Sequence, residues 1–127
     1  MTLETGLSYT AVTHVASENC AAAVGSGDLE VFATPAMAAL MEKAAMLAVA
    51  ESLPEGSTTV GCALDITHSK PTPVGLQVAA TATLTHIDGR TLSFDVEARD
   101  SNGIIGSGRH VRVIVDRKRF TAKAYGN

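Results

Sequence analysis

ATPAMAALMEKAAML, residues 33–47, is apolar on nearly every helical face and interrupted only by Glu42 and Lys43. Thr34 is suited to the N-cap, Pro35 to the first helical position, and Pro54 with Gly56 closes the run. The expected helix, 34–53, is therefore about 19 residues or roughly 28 Å long. A helix apolar all round is not a surface element; other structure must wrap it. Around Glu42, the helical neighbours are Ala38, Ala39, Ala45 and Met46. A carboxylate in that setting either gives up its charge or meets a buried hydrogen-bonding or cationic partner, since an unpaired buried charge is costly. A structural partner at a dimer seam would satisfy it equally. Lys43 can carry its ammonium out to water along its stem, so Glu42 is the stronger functional candidate.

Downstream of the helix, the pattern changes to period two. In LQVAATATLTHI (76–87), Leu76, Val78, Ala80, Ala82 and Leu84 share a face, and in TLSFDVEARD (91–100) so do Leu92, Phe94, Val96 and Ala98. Asp88-Gly89 and Asn102-Gly103 mark two hairpins, the second leading into IIGSGRHVRVIV (104–115). With strands near 60–68 and within 8–16, this predicts an α+β fold: one long helix wrapped by an antiparallel sheet of about five strands. A single sheet leaves part of such a helix uncovered, which predicts a symmetric homodimer, possibly paired into a tetramer.

The 127 residues fit one domain, 1–127. A net charge of -3 with 46% hydrophobic residues excludes the basic balance of a nucleic-acid binder and the polarity of a disordered chain. MTLETGLSYT has no basic start followed by an apolar run, and no segment approaches the roughly 18 apolar residues of a membrane span, so a cytoplasmic protein with no membrane partner is expected. Cys20 and Cys62 are too far apart for a C-x-x-C motif and read as two buried thiols, with no metal site. The basic cluster DRKRF (116–120) reads as a solvated strand end.

Two further candidates stand beside Glu42. Thr34 marks the helix start, where free N–H groups and the positive dipole end can hold an oxyanion or a phosphate; a Thr before Pro is otherwise simply a cap. It lies about 12 Å along the axis from Glu42 and about 80° around it, so the two can border one groove without touching. His68, in DITHSKPTPVG (65–75), ends a strand before a Pro/Gly loop, and imidazole needs little adjustment to act as a general base near neutral pH. His14 and His86 read as ordinary strand positions; His110, in SGRHVRV, can face inward.

Taken together, VFATPAMAALMEKA, VGCALDITHSKPTPVGLQV, IDGRTLSFDVEARD and GSGRHVRVIV, with the T-P-x-G-L element at 72–76, resemble the hotdog-fold thioesterases of the fluoroacetyl-CoA thioesterase type. The resemblance spans about residues 30–120. It implies a hotdog dimer with active sites along the subunit interface and a catalytic group of Thr34, Glu42 and His68. Gly61 matches a position whose backbone lies close to the acyl group, and Pro35, Ala36 and His110 complete the expected substrate contacts. The implied reaction is hydrolysis of a short or medium acyl-CoA: Glu42 aligns His68, His68 takes a proton from Thr34 or from a water, the water route being more economical, and helix-start N–H groups hold the oxyanion. Coenzyme A enters as part of the substrate, with no separate cofactor. Where that enzyme type has an aromatic-rich lid, AAAVGSGDLEVFAT (21–34) carries Phe32 alone, so fluoroacetyl selectivity is not expected. A non-catalytic acyl-CoA-binding module and an enoyl-CoA hydratase or dehydratase are the alternative readings. Lys70, Arg109, Arg112 and Arg117 are available for phosphates of coenzyme A or of an acyl-carrier protein.

Overall fold

A computed structural model describes residues 2–126. In chain order the elements are β1 (Ser8–His14), a short α1 (Ala21–Val24), α2 (Thr34–Val49), β2 (Ser57–His68), β3 (Gln77–Asp88), β4 (Thr91–Asp100), β5 (Gly103–Asp116) and α3 (Arg117–Ala124). The five strands form one antiparallel sheet in the order β1-β3-β4-β5-β2. The sheet packs around α2, as the sequence pattern predicts.

The alternating residues supply the inner face. Val78, Ala80, Ala82 and Leu84 of β3, and Leu92, Phe94, Val96 and Ala98 of β4, are all buried. They meet Met37, Leu40, Met41, Ala44, Ala45 and Val49 of α2. Burying each large apolar side chain contributes about 1.5–3 kcal/mol, so packing more than propensity holds this helix in place. Alanines on both surfaces let helix and sheet approach closely. The β3–β4 hairpin turns at Gly89-Arg90, with Gly89 at φ 60° in the first loop position, the conformation a type II′ turn reserves for glycine.

Three expectations are corrected. Thr34 is the first helical residue and not the cap: Ala33 is the N-cap and its carbonyl takes the Met37 amide at 3.0 Å, removing the donor that a Thr34 cap would have bound. DRKRF is not a strand end. β5 runs out of partner at the Ser57–Asp116 pair, and the Asp116 carboxylate accepts the Arg119 amide at 2.9 Å, capping α3 so that its backbone is satisfied without a neighbouring strand. Cys20 is buried as expected, but Cys62 is exposed, because β2 is an edge strand and Cys62 occupies the bulge between Gly61 and Ala63. Among the described residues, no helix is long and apolar enough to cross a membrane.

Candidate active site

Two clusters form on the side of α2 that faces β2 and β5. The first sits at the helix start. His68 ends β2 opposite Gly106 of β5, and its Nδ1 lies 2.7 Å from the Thr34 hydroxyl. The other ring nitrogen, Nε2, is buried without a hydrogen-bond partner among the described residues. Burial holds the imidazole below its ordinary pKa of 6.5, partly opposed by the backbone at Lys70, so His68 is neutral near pH 7 and able to accept a proton. Thr34 and Ala36 present amides without an intrahelical acceptor, and Pro35 between them has none to present. The pair opens onto a cleft of about 280 Å³ lined by Ser26, Val31, Phe32, Ser69, Lys70 and Pro71. Phe32 is only 2% exposed and belongs to the core, so it contributes a wall and not an aromatic lid.

The second cluster surrounds Glu42. Its carboxylate lies 3.6 Å from Arg112 Nη1 and 4.0 Å from His110 Nε2. Arg112 is a buried cation held at several points: Nε donates to the Thr59 hydroxyl at 2.7 Å, Nη2 to the Thr59 carbonyl at 2.9 Å, and Nη1 to His110 Nε2 at 3.2 Å. Because a guanidinium only donates, Nε2 of His110 must be the acceptor, and Nδ1 donates to the Ala63 carbonyl at 2.8 Å. His110 is thereby fixed as the neutral Nδ1–H tautomer, and burial lowers its pKa in the same sense. The burial expected for Glu42 is corrected: its side chain is 43% exposed in the single chain, and it meets the buried cation Arg112 from the surface side.

Gly61 completes this cluster. A Cβ built there would meet Glu42 Oε2 at 2.5 Å, His110 Cε1 at 3.2 Å and Arg112 Nη1 at 3.4 Å, so the carboxylate rests against bare backbone. Gly61→Ala is expected to turn the flexible Glu42 side chain aside with only a small change in denaturation midpoint, while lowering kcat at least tenfold. A variant of wild-type activity would show that the resting place of Glu42 is irrelevant.

The structure therefore joins Thr34 to His68 directly, and Glu42 to Arg112, His110 and Gly61, but it does not join the two groups within one chain: Glu42 makes no contact with His68 of the kind the resemblance implies. Pro35 and Ala36 follow Thr34 in the first turn of α2 but do not line its cleft, and Ala36 lines a separate concavity with Ala39, Leu40 and Lys43; His110 has both nitrogens engaged and serves Arg112. Arg112, counted from sequence among the phosphate contacts, is 6% exposed and lies beneath Glu42, out of reach of a phosphate. Its signal was available, since His110 and Arg112 are two residues apart on one strand face and an inward cation needs an acid opposite it. Among the described residues, no three His, Cys, Asp or Glu side chains converge as metal ligands.

Comparison with known proteins yields a consistent set of similarities. The family profile described as fluoroacetyl-CoA-specific thioesterase matches residues 15–118. A fluoroacetyl-CoA thioesterase from Streptantibioticus cattleyicolor is 45% identical over 94 residues, which are 74% of this chain and 68% of that protein. The solved structure of the fluoroacetyl-CoA thioesterase FlK superposes with a TM-score of 0.91 at 34% identity, covering 98% of this chain and 97% of that one. A hot-dog-like protein from Thermanaerovibrio acidaminovorans, at 21% identity, covers 98% of this chain and 92% of its own with a TM-score of 0.88, and shows the shared fold.

Proposed function

The chain belongs to the fluoroacetyl-CoA-specific thioesterase family, with the hotdog fold and the thioester-hydrolysing activity of that family, and from this premise we propose how its residues hydrolyse a short or medium acyl-CoA. The observation that carries the reading is the 2.7 Å contact between Thr34 Oγ1 and His68 Nδ1 beside the free amides of the α2 start. Neutral His68 accepts the Thr34 proton at Nδ1 while Oγ1 bonds to the thioester carbonyl carbon. The carbonyl oxygen becomes an oxyanion, held by the amides at the helix start with the help of the dipole. Collapse breaks the C–S bond, and His68 returns the proton to the departing sulfur. Water then attacks the Thr34 ester, giving its proton to His68; the second intermediate collapses, the bond from the acyl carbon to Oγ1 breaks, His68 returns the proton to Thr34 Oγ1, and the acid leaves. The direct hydroxyl contact favours Thr34 over water as first nucleophile, because a water would have to displace it from Nδ1.

When Nδ1 accepts, Nε2 carries the hydrogen, and that buried donor lacks an acceptor. A homodimer supplies one. β2 is a free edge whose central residues Gly61–Asp65 are exposed, including Cys62, Ala63 and Leu64, an apolar row with unpaired backbone groups. Antiparallel pairing of two β2 strands about this run sets His68 opposite positions 58–62 of the other chain, beside Gly61 and hence Glu42 of the partner subunit. Thr34, His68 and Glu42 of the partner subunit then form one nucleophile–base–acid group, with Arg112 holding the acid in place.

Fluoroacetyl selectivity is not part of the proposal. The segment between α1 and α2 places Ser26 and Val31 at the cleft and buries its single aromatic, so nothing rigid screens acyl groups by their polarity. Free-thiol release across acetyl-, fluoroacetyl-, butyryl-, hexanoyl- and octanoyl-CoA is the direct test. Hydrolysis is expected for several members, with fluoroacetyl-CoA preferred over acetyl-CoA by less than about tenfold, the discrimination that 1.4 kcal/mol provides. Ligand binding without release from any member, by a folded dimer, would replace this reading with the binding module.

A further inference from the structure

We propose that Phe32 sets the upper limit on acyl length: its ring is the wall shared by the catalytic cleft and a second, apolar chamber against the start of α2, and the substrates taken are thioesters whose acyl group ends at that wall. The proposal rests on the thioesterase reading above and adds a specificity-determining residue to it.

The starting observation is that one side chain lines two concavities. On one side of Phe32 is the cleft of about 280 Å³ that holds Thr34 and His68. On the other is a chamber of about 260 Å³ between α2 and the segment that follows β1, lined by Thr13, Asn19, Ala36, Ala39 and Leu40, with Lys43. Among the described residues, Phe32 alone is common to both linings. The chamber suits a hydrocarbon. Asn19 has its amide spent, Oδ1 accepting the Ala16 amide at 2.9 Å and Nδ2 donating to the His14 carbonyl at 2.9 Å. Lys43 is exposed, and its stem can carry the ammonium out to water. Ala36, Ala39 and Leu40 supply apolar surface.

The wall is fixed in place. The Phe32 amide donates to the Thr72 carbonyl at 2.9 Å, Cys20 pairs with Phe32 in an isolated antiparallel bridge, and the Ala33 amide donates to the Asn19 carbonyl at 2.9 Å. The backbone is thus tied on both sides. The ring itself is buried in the core cluster, and a close-packed ring cannot move aside without leaving a void behind it.

Position decides what extra acyl length is worth. Each methylene that leaves water for apolar surface improves binding about fourfold. An acyl tail that reaches Phe32 has to turn back toward Ser26, Ser69 and Lys70, which are exposed, so its further methylenes stay in water and gain little. Behind the wall the same methylenes would meet Ala36, Ala39 and Leu40. Discrimination against long chains therefore comes from one side chain, and Ala36, which the resemblance places among the substrate contacts, is reached only when that side chain is removed.

Two measurements test this. S-ethyl-CoA and S-octyl-CoA, thioethers that cannot be hydrolysed, are titrated calorimetrically into the wild type and into Phe32→Ala, and kcat/KM for acetyl- and octanoyl-CoA is measured in both. The expected result is an octyl-to-ethyl affinity ratio at least tenfold higher in the variant, with the kcat/KM ratio moving the same way through KM. Adding Ala39→Leu, which fills the chamber from α2 and lies outside the catalytic cleft, is expected to return both ratios toward wild type. An unchanged affinity ratio in Phe32→Ala overturns the proposal, as does a gain that survives Ala39→Leu, which would come from a general loosening of the core. A wild type whose affinity already climbs about fourfold per methylene up to octyl overturns it too. The thioether titration reads the wall even if no thioester is hydrolysed, which separates this proposal from the catalytic reading. Phe32→Leu, which lowers the wall and keeps more of the core packing, gives the same readouts in smaller measure should the alanine variant unfold.

Discussion

His68→Ala is expected to lower kcat/KM for the preferred acyl-CoA by roughly 10²–10⁴-fold, with thermal stability little changed. The size follows from position: His68 is the only imidazole in contact with the Thr34 hydroxyl, so its removal leaves Oγ1 as an unactivated alcohol. Stability holds because His68 is the last residue of β2, only partly buried and outside the apolar core, so its truncation opens no core cavity. The pH profile gives an independent check. The base works only when neutral, so kcat/KM is full above the His68 pKa and declines as pH falls through it. Burial lowers that pKa from 6.5, partly opposed by the backbone at Lys70, and in the proposed dimer the carboxylate of Glu42 from the second chain would raise it by stabilising the imidazolium. Glu42→Gln therefore moves the acid limb to lower pH. Loss of less than about tenfold on His68→Ala, in a folded protein, would remove His68 from the chemistry.

Much of the architecture was legible in residue order alone. TLSFDVEARD matches β4 residue for residue, and its four alternating apolar side chains are all buried. This works because period-two burial is a direct geometric consequence of the pleat. The helix was legible for a similar reason, since only a wrapped helix tolerates apolar residues on every face. Features that depend on hydrogen-bond competition were less accessible. Which of Ala33 and Thr34 caps α2 depends on which carbonyl takes the Met37 amide, and α3 exists because Asp116 caps it where β5 loses its neighbour. The capping signal of Asp116 stood in the sequence, masked by the charge run that follows it. Thr34 and His68 were weighed from residues but joined through the resemblance, because 34 positions of chain separate them and nothing in local pattern measures 2.7 Å.

Arg112 illustrates a different limit. Charged residues on a strand ordinarily face water, and a sequence reading assigns them there by default. The antiparallel register corrects this, pairing Leu92 with Arg112 and Phe94 with His110, so that the inward faces already assigned to β4 carry both basic residues inward on β5. Their shared demand for an acid then leads to Glu42, the one carboxylate in the middle of α2. The interrupted apolar helix and the buried arginine thus answer one another.

Mixing His68→Ala with Glu42→Gln subunits tests whether that answer is completed across two chains. Each homodimer is expected to be nearly inactive, since one lacks the base and the other lacks the acid at both sites. In the mixed dimer one site pairs alanine with glutamine, and the other pairs native His68 with native Glu42 of the partner subunit. Random exchange makes half of the dimers mixed, with one of two sites restored, so activity returns to about a quarter of wild type from two separately inactive preparations. If Glu42 and His68 acted within one chain, every subunit in the mixture would carry one lesion and no activity would return. The unpartnered Nε2 of His68 and the separation of Glu42 from it along α2 both point to recovery, because only a second chain brings an acceptor to that nitrogen. Recovery with dilution-dependent loss, as dimers dissociate, would tie the restored site to the dimer.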